Sequence, residues 1–242
     1  MAGTLSRILA RRGHKVVAFD TDPMPGLAIS LGLGPVTDAM LQDAVQQDAE
    51  GRWRLRKGIG PARAIRRYGM VAPDGVRLIQ FGKADRDGLA PVMASLNGLY
   101  QVLHRLGPEH VLRDWTVIGD LPAGPRQAAF DWAPYARTMI VVVEPSWQSA
   151  LTARRIGRIS RSRSGLGVAL VANKVTASRD VGLIAHMVGE PVLAAVPSDE
   201  AVAVADRLGV AAIDQDPSSP FVRAVEELAV LLARGAQGAP SR

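Results

Sequence analysis

Three aspartates in this sequence stand where short apolar runs end, and their setting suits a hydrated cation. Asp20 and Asp22, in Asp20-Thr21-Asp22-Pro23, follow Val16-Val17-Ala18-Phe19. Two carboxylates two residues apart at a strand tip can turn toward one polar cavity, where magnesium and an attacking water both require oxygen acceptors. The same residues are also sound turn chemistry, because an Asp side chain readily bonds the backbone two residues on. Asp120 ends another apolar run, in Val117-Ile118-Gly119-Asp120-Leu121-Pro122-Ala123-Gly124. A strand delivering one Asp into a Pro-Ala-Gly turn fits a carboxylate that orients magnesium through water. The following mobile loop would then offer the Gly124 amide to a γ-phosphate. A strand closed by a plain turn is the competing reading. In Val171-Ala172-Asn173-Lys174-Val175, the Asn173 amide can hydrogen-bond a purine edge while the Lys174 stem covers the ring. An Asn that simply caps a strand accounts for the same residues. Pro197, Ser198 and Asp199 end a later apolar run, where a loop could close over the base.

Elements must bring these residues to one edge. Met1, Leu5, Ile8 and Leu9 recur at helical spacing, and Arg11-Arg12-Gly13-His14 supplies a basic last turn and a glycine stop. The chain therefore opens inside a helix over 1–12. Apolar runs at 16–19, 76–81, 115–119, 139–143 and 168–172 read as buried parallel strands, and 192–196 is a further one. Helical segments are predicted at 89–106, 149–160, 181–188, 200–208 and 220–233. The alternation implies an α/β fold: a doubly wound, mostly parallel sheet with helices on both faces. Ligands gather at the C-terminal strand edge of such sheets, where the polar residues above accumulate. A single domain is expected over 1–234, with 43–74 as a surface excursion and 235–242 as a disordered tail.

Composition narrows the classes. A chain of 242 residues, 48% hydrophobic and 21% charged, can bury a sizeable core. No stretch is apolar enough to cross a bilayer, and residues 1–12 lack the apolar core and cleavage site of a signal peptide, so a cytoplasmic protein without a membrane anchor is expected. The absence of cysteine excludes disulfides, thiol catalysis and iron–sulfur clusters, and leaves oxygen ligands for any metal. A net charge of +6, with basic clusters at 52–67 and 154–163, reads either as solvated Arg faces or as a nucleic-acid surface.

The order and spacing of these motifs resemble the MinD/ParA/CooC family of deviant Walker-A P-loop ATPases over nearly the whole chain, from Met1 to about Leu232. The most specific pieces are Asp20-Thr21-Asp22-Pro23 and Asp120-Leu121-Pro122-Ala123-Gly124, and Val143-Glu144-Pro145-Ser146 with the helix after it is similar as well. The resemblance implies ATP and Mg2+ as cofactors and a homodimer in the ATP-bound state. It implies that Asp22 orients the catalytic water, that Asp20 and Asp120 are outer-shell magnesium ligands, and that Gly124 belongs to a switch loop. Asn173, Lys174, Pro197, Ser198 and Asp199 would line the adenine pocket.

The sequence departs from that pattern at its beginning. Family members open with a strand and a loop of the form Lys-Gly-Gly-x-Gly-Lys-Thr-Thr before the first helix, and nothing in these residues matches G-x-x-x-x-G-K-[ST]. The cluster Gly58-Ile59-Gly60 follows no strand. The absent strand belongs beside the one ending at Asp120, so unpaired backbone and an apolar trough are expected there. The expectation is of an N-terminally truncated ATPase, with negligible hydrolysis by the chain as given; a degenerate protein that has lost catalysis is the alternative. The Cys-x-Cys of CooC-type proteins has no counterpart near 88–93, and the closing segment 221–232 suits packing better than the lipid-binding helix that ends MinD-type proteins. A different class also stays open: a non-catalytic protein on the same scaffold, holding a partner or non-specific DNA through 154–163.

Overall fold

The computed structural model describes residues 1–22, 24–83, 88–106, 112–163 and 165–237. Pro23 of the first acidic motif and residues 238–242 of the expected tail lie outside them.

The first helix, α1 (Ala2–Arg11), leads through a glycine turn into β1 (Lys15–Asp20), whose residues from Val16 onward are all buried. A continuous β-branched and aromatic run is what a strand covered on both faces requires. β1 pairs in parallel with β5 (Arg77–Gln80) on one side and β6 (Trp115–Asp120) on the other. The short β4 (Met70–Val71) adds antiparallel to β5, giving the order β4-β5-β1-β6. A separate all-parallel sheet holds β7 (Thr138–Val143), β8 (Gly167–Val175) and β9 (Val192–Pro197), in that order. Among the described residues no ladder joins β6 to β7, so the sheet is interrupted where the resemblance put the absent strand.

The expected strand at 168–172 extends to Val175, which pairs with Pro197 after a register irregularity. Asn173 and Lys174 therefore lie inside β8 and not beyond its end. The remaining helices are α2 (Leu27–Ser30), α3 (Pro61–Tyr68), α4 (Ala90–His104), α5 (Arg126–Ala129), α6 (Trp147–Arg161), α7 (Ser178–Val188), α8 (Glu200–Leu208), α9 (Ala212–Gln215) and α10 (Pro220–Gln237). α10 continues to Gln237, into the segment expected as tail.

The segment 43–74 folds as an antiparallel hairpin of β2 (Val45–Gln47) and β3 (Trp53–Leu55), followed by α3 and β4. It contributes Ala44, Val45, Ala64 and Ile65 to the cluster that also holds Phe19, Ile79 and Leu99. Elements of three residues carry too little pattern to show a period.

Helices α1 and α10 form one covering layer. Leu5 and Ile8 of α1 pack with Val222, Val225 and Leu228 of α10 and with Val171 and Val196 of the smaller sheet. Gly3 gives α1 its approach to α2, since a Cβ there would lie 2.6 Å from the Ser30 Cβ. Arg7, only 3% exposed, ties the same helix to two distant segments: its Nε donates to Asp74 Oδ2 at 2.7 Å and its Nη1 pairs with Asp214 of α9. Burial opposes ionisation of Asp74, but the bonds from Arg7 outweigh it and hold its pKa below the ordinary value. An acid with a depressed folded-state pKa stabilises above its unfolded pKa, and that contribution is lost as pH falls through the folded value. Asp74→Asn is expected to lower stability at pH 7 by roughly 1–3 kcal/mol, the cost of weakening a charged hydrogen bond to a buried partner. In urea titrations the deficit relative to wild type should shrink as pH falls through the lowered folded-state value of Asp74, below which the residue is uncharged in both states.

Candidate functional site

Parallel pairing of β1 with β6 sets Asp20 opposite Asp120 at the C-terminal end of the larger sheet. Thr21 fastens the two tips, its N–H and its hydroxyl both donating to the Asp120 carbonyl, at 3.0 and 2.9 Å. Sequence reasoning passed over Thr21; its place between two aspartates was the only signal.

The two facing carboxylates have unequal surroundings. Asp20 has no exposed surface. Its Oδ1 accepts the Asp22 N–H and its Oδ2 the Leu27 N–H, each at 3.0 Å, which binds the loop to the first turn of α2. Burial raises its pKa, and these N–H donors oppose the rise. Asp22 Oδ1 accepts the Met24 N–H at 2.8 Å. Both residues of the motif thus perform turn chemistry, and each carboxylate oxygen keeps a further lone pair for a second partner.

Asp120 has no hydrogen bond to its carboxylate among the described residues. Burial first, and then the charge of Asp20, push its pKa up to about 6, while the Met1 amino group partly offsets them. Gly124 follows at φ 98 with open space around it, in the loop that leads to α5. No group of three or more His, Asp or Glu side chains gathers among the described residues. Magnesium does not need one, since it keeps several waters and takes one or two carboxylates with substrate phosphates. A half-satisfied pair of facing carboxylates fits that requirement.

The other candidates form a second group, on the smaller sheet. Asn173 and Lys174 lie near the end of β8, with Lys174 in the left-handed region at φ 54 and its Nζ 2.6 Å from Glu144 Oε1. The Ser198 N–H donates to the Val175 carbonyl at 2.9 Å, so Pro197 and Ser198 adjoin that strand end. Asp199 is occupied locally: it caps α8 through the Ala201 N–H and holds the start of α10 through the Phe221 N–H at 2.8 Å. Burial opposes its ionisation, and these donors prevail, keeping its pKa below the usual carboxylate value.

A cavity of about 1170 Å³ opens between β6 and β7, with Asp120, Gly124, Ser146 and Ser149 at one end. It does not reach Asn173, Lys174 or Asp199. Tyr135, also unanticipated, sits over β6: a Cβ at position 119 would collide with its hydroxyl, which explains the glycine. A smaller hollow of about 510 Å³, lined by Arg154, Arg158 and Arg161 of α6, holds none of the candidate residues.

No family model matches the chain. The carbon monoxide dehydrogenase accessory protein CooC of Rhodospirillum rubrum is 24% identical over 234 residues, covering 90% of this chain and 86% of that protein. The septum site-determining protein MinD of Pyrococcus horikoshii, solved with Mg-ADP, superposes with a TM-score of 0.65 at 20% identity, over 97% of this chain and 90% of that one. The chain is MinD/ParA/CooC-like in fold and in sequence. A ParA family ATPase from Chlorobium tepidum also superposes, with a TM-score of 0.67 at 16% identity, over 95% of this chain and 90% of its own length. The mostly parallel α/β architecture of this MinD/ParA/CooC-like chain is therefore shared with these MinD and ParA family structures.

The charge state of Asp120 generates a pH prediction. Its folded-state pKa lies above that of the unfolded chain, so between about pH 4 and 6 the folded state binds more protons and stability falls as pH rises. In the metal-free protein, Asp120→Asn should remove this penalty and stabilise the fold by roughly 1–3 kcal/mol at pH 7 to 8. Urea midpoints of the two proteins should converge below pH 4; a variant less stable than wild type at pH 8 would contradict the assignment.

Proposed function

We propose that this MinD/ParA/CooC-like chain is an ATP-binding, dimeric nucleotide switch that uses magnesium. The observation that supports this reading best is the pairing of Asp20 with Asp120 at the tips of adjacent parallel strands, with Asp120 left without a hydrogen-bond partner among the described residues. Asp120, assisted by Asp20, would hold the waters of a magnesium ion, which when bound supplies charge neutralisation for nucleotide phosphates. Asp22, on the loop fastened by Asp20, would accept a proton from an attacking water. The open backbone at Gly124 suits a loop that changes conformation with the terminal phosphate. Asn173 and Lys174 suit a purine edge and face, with Pro197, Ser198 and Asp199 shaping the wall beside them. The MinD neighbour was solved with Mg-ADP, which supports the cofactor choice.

A phosphate needs consecutive backbone N–H groups and a cation around it, and these residues contain no G-x-x-x-x-G-K-[ST]. Turnover by the chain as given should therefore be negligible, with binding as the measurable property. In competition against a fluorescent nucleotide, ATP should bind in a magnesium-dependent way. Asp120→Ala should weaken it about 10- to 100-fold, the loss of a charged contact worth about 1.5–3 kcal/mol. Asn173→Ala should weaken ATP without altering the magnesium dependence. Magnesium-independent binding, or unchanged affinity in both variants, would refute the reading.

A second reading has its own observation. The face of α6 exposes Arg154, Arg155, Arg158 and Arg161. Non-specific DNA retention through these residues would fall steeply between 50 and 200 mM salt, at about one counterion per phosphate neutralised. Retention that ignores salt, or survives Arg154→Glu with Arg158→Glu, would remove DNA from consideration.

A further inference from the structure

The hollow of about 510 Å³ beside α6 holds none of the residues proposed above for nucleotide or magnesium. Its walls come from residues 141–191 alone. α6 forms one side, the turn at 189–191 between α7 and β9 forms another, and Val141 of β7 with Val168 and Leu170 of β8 supplies an apolar bed. Its volume lies within the range of about 300–1,000 Å³ common to small-molecule sites.

The charges in the lining do not balance. Arg154, Arg158 and Arg161 stand at i, i+4 and i+7, the spacing that keeps side chains on one helical face. Glu190 is the one acid of the lining, and Arg161 Nη1 donates to its Oε1 at 2.7 Å. Arg154 Nε reaches only the Val188 carbonyl, at 3.4 Å, and the Arg158 guanidinium has no hydrogen bond or ion pair among the described residues. Three guanidiniums thus face one carboxylate. Gly157 shapes the same side of the hollow. Glycine inside a helix is unfavourable relative to alanine, yet the Arg161 guanidinium lies over this one, with Nη2 3.3 Å from where a Cβ would stand. A side chain at 157 would crowd that cation.

We propose that this hollow binds a small organic phosphate monoester, with the phosphoryl group between Arg154 and Arg158 and the carbon body over Val141, Val168 and Leu170. A phosphate monoester carries close to two negative charges at neutral pH and three acceptor oxygens, and guanidiniums hold such a group through paired N–H donors. One headgroup therefore matches the charge that Glu190 leaves uncompensated. The bed selects an ester over inorganic phosphate, since Val141 and Leu170 are each only 4% exposed and an apolar body would complete their cover. A nucleic-acid backbone presents single charges in a row along its surface and gains nothing from a recessed apolar bed, so the hollow favours the small ligand over DNA. Glu190 competes with the phosphate for Arg161 and so limits affinity.

The probe is phenyl phosphate, added without magnesium to the intact chain and followed by isothermal titration calorimetry. Saturable binding is expected, about tenfold or more tighter than that of inorganic phosphate, which lacks the ring, or of benzoate, which lacks the second charge. Arg158→Gln should weaken it about 10- to 100-fold while magnesium-dependent ATP binding stays as in wild type. Failure of the nucleotide reading would therefore appear in the ATP arm alone. Glu190→Gln should tighten phenyl phosphate about two- to fivefold, a gain that misfolding does not produce. Affinity no better than for inorganic phosphate, unchanged binding by Arg158→Gln, or weaker binding by Glu190→Gln would each overturn the proposal. Displacement of the probe by a short DNA duplex would overturn it as well, by assigning the arginines to nucleic acid.

Discussion

Two carboxylates held side by side at the tips of neighbouring parallel strands constrain everything around them. The pairing of β1 with β6 places Asp20 beside Asp120, and the bonds from Thr21 to the Asp120 carbonyl lock that adjacency. Like charges at such proximity are tolerated in a buried setting only when something compensates them. The chain compensates one of the two. Asp20 receives N–H groups from Asp22 and Leu27, and so becomes the anchor of the loop that carries Asp22. Asp120 receives none among the described residues, and burial first, then the charge of Asp20, raise its pKa. A structural carboxylate and an open one thus arise from the same pair.

The second constraint is the interruption between β6 and β7. Parallel strands flanked by helices are stable when both edges are paired and both faces covered. Here, among the described residues, neither edge at the gap is paired, and β6 and Val142 of β7 keep some exposure. The sheets are held together by the layer of α1 and α10, in which Leu5, Ile8, Val225 and Leu228 pack against residues of the smaller sheet and against Ile118 and Ile140. Arg7 adds a polar brace from α1 to the turn at Asp74 and to Asp214 of α9. Cohesion by one helical layer leaves the strand positions defined and the space between them open.

The buried strands were legible from sequence because a strand covered on both faces must be apolar throughout, as Val16 to Phe19 and Val168 to Ala172 show. The helix over the first residues was equally clear, since Leu5 and Ile8 share one face. The segment 43–74 was not, because its burial comes from single residues such as Val45 and Ile65 fitted into a cluster assembled from distant elements. The extension of β8 through Asn173 and Lys174 depended on Val175 meeting Pro197, a pairing with no local signature. Asp199 resembled a binding residue and serves two helix starts, one of them distant in sequence.

The amino-acid order by itself determined which residue types stand at strand ends, because strand identity and turn chemistry are local properties of apolar runs and the polar residues that stop them. It therefore determined the α/β class and the acidic character of the site. Only the tertiary structure decided which of the aspartates is bound up in its own loop and which is exposed to a partner's charge. The resemblance led to the expectation of a gap beside β6; which residues line it was settled in three dimensions, because desolvation, hydrogen-bond competition and edge pairing depend on what lies beside a residue in space.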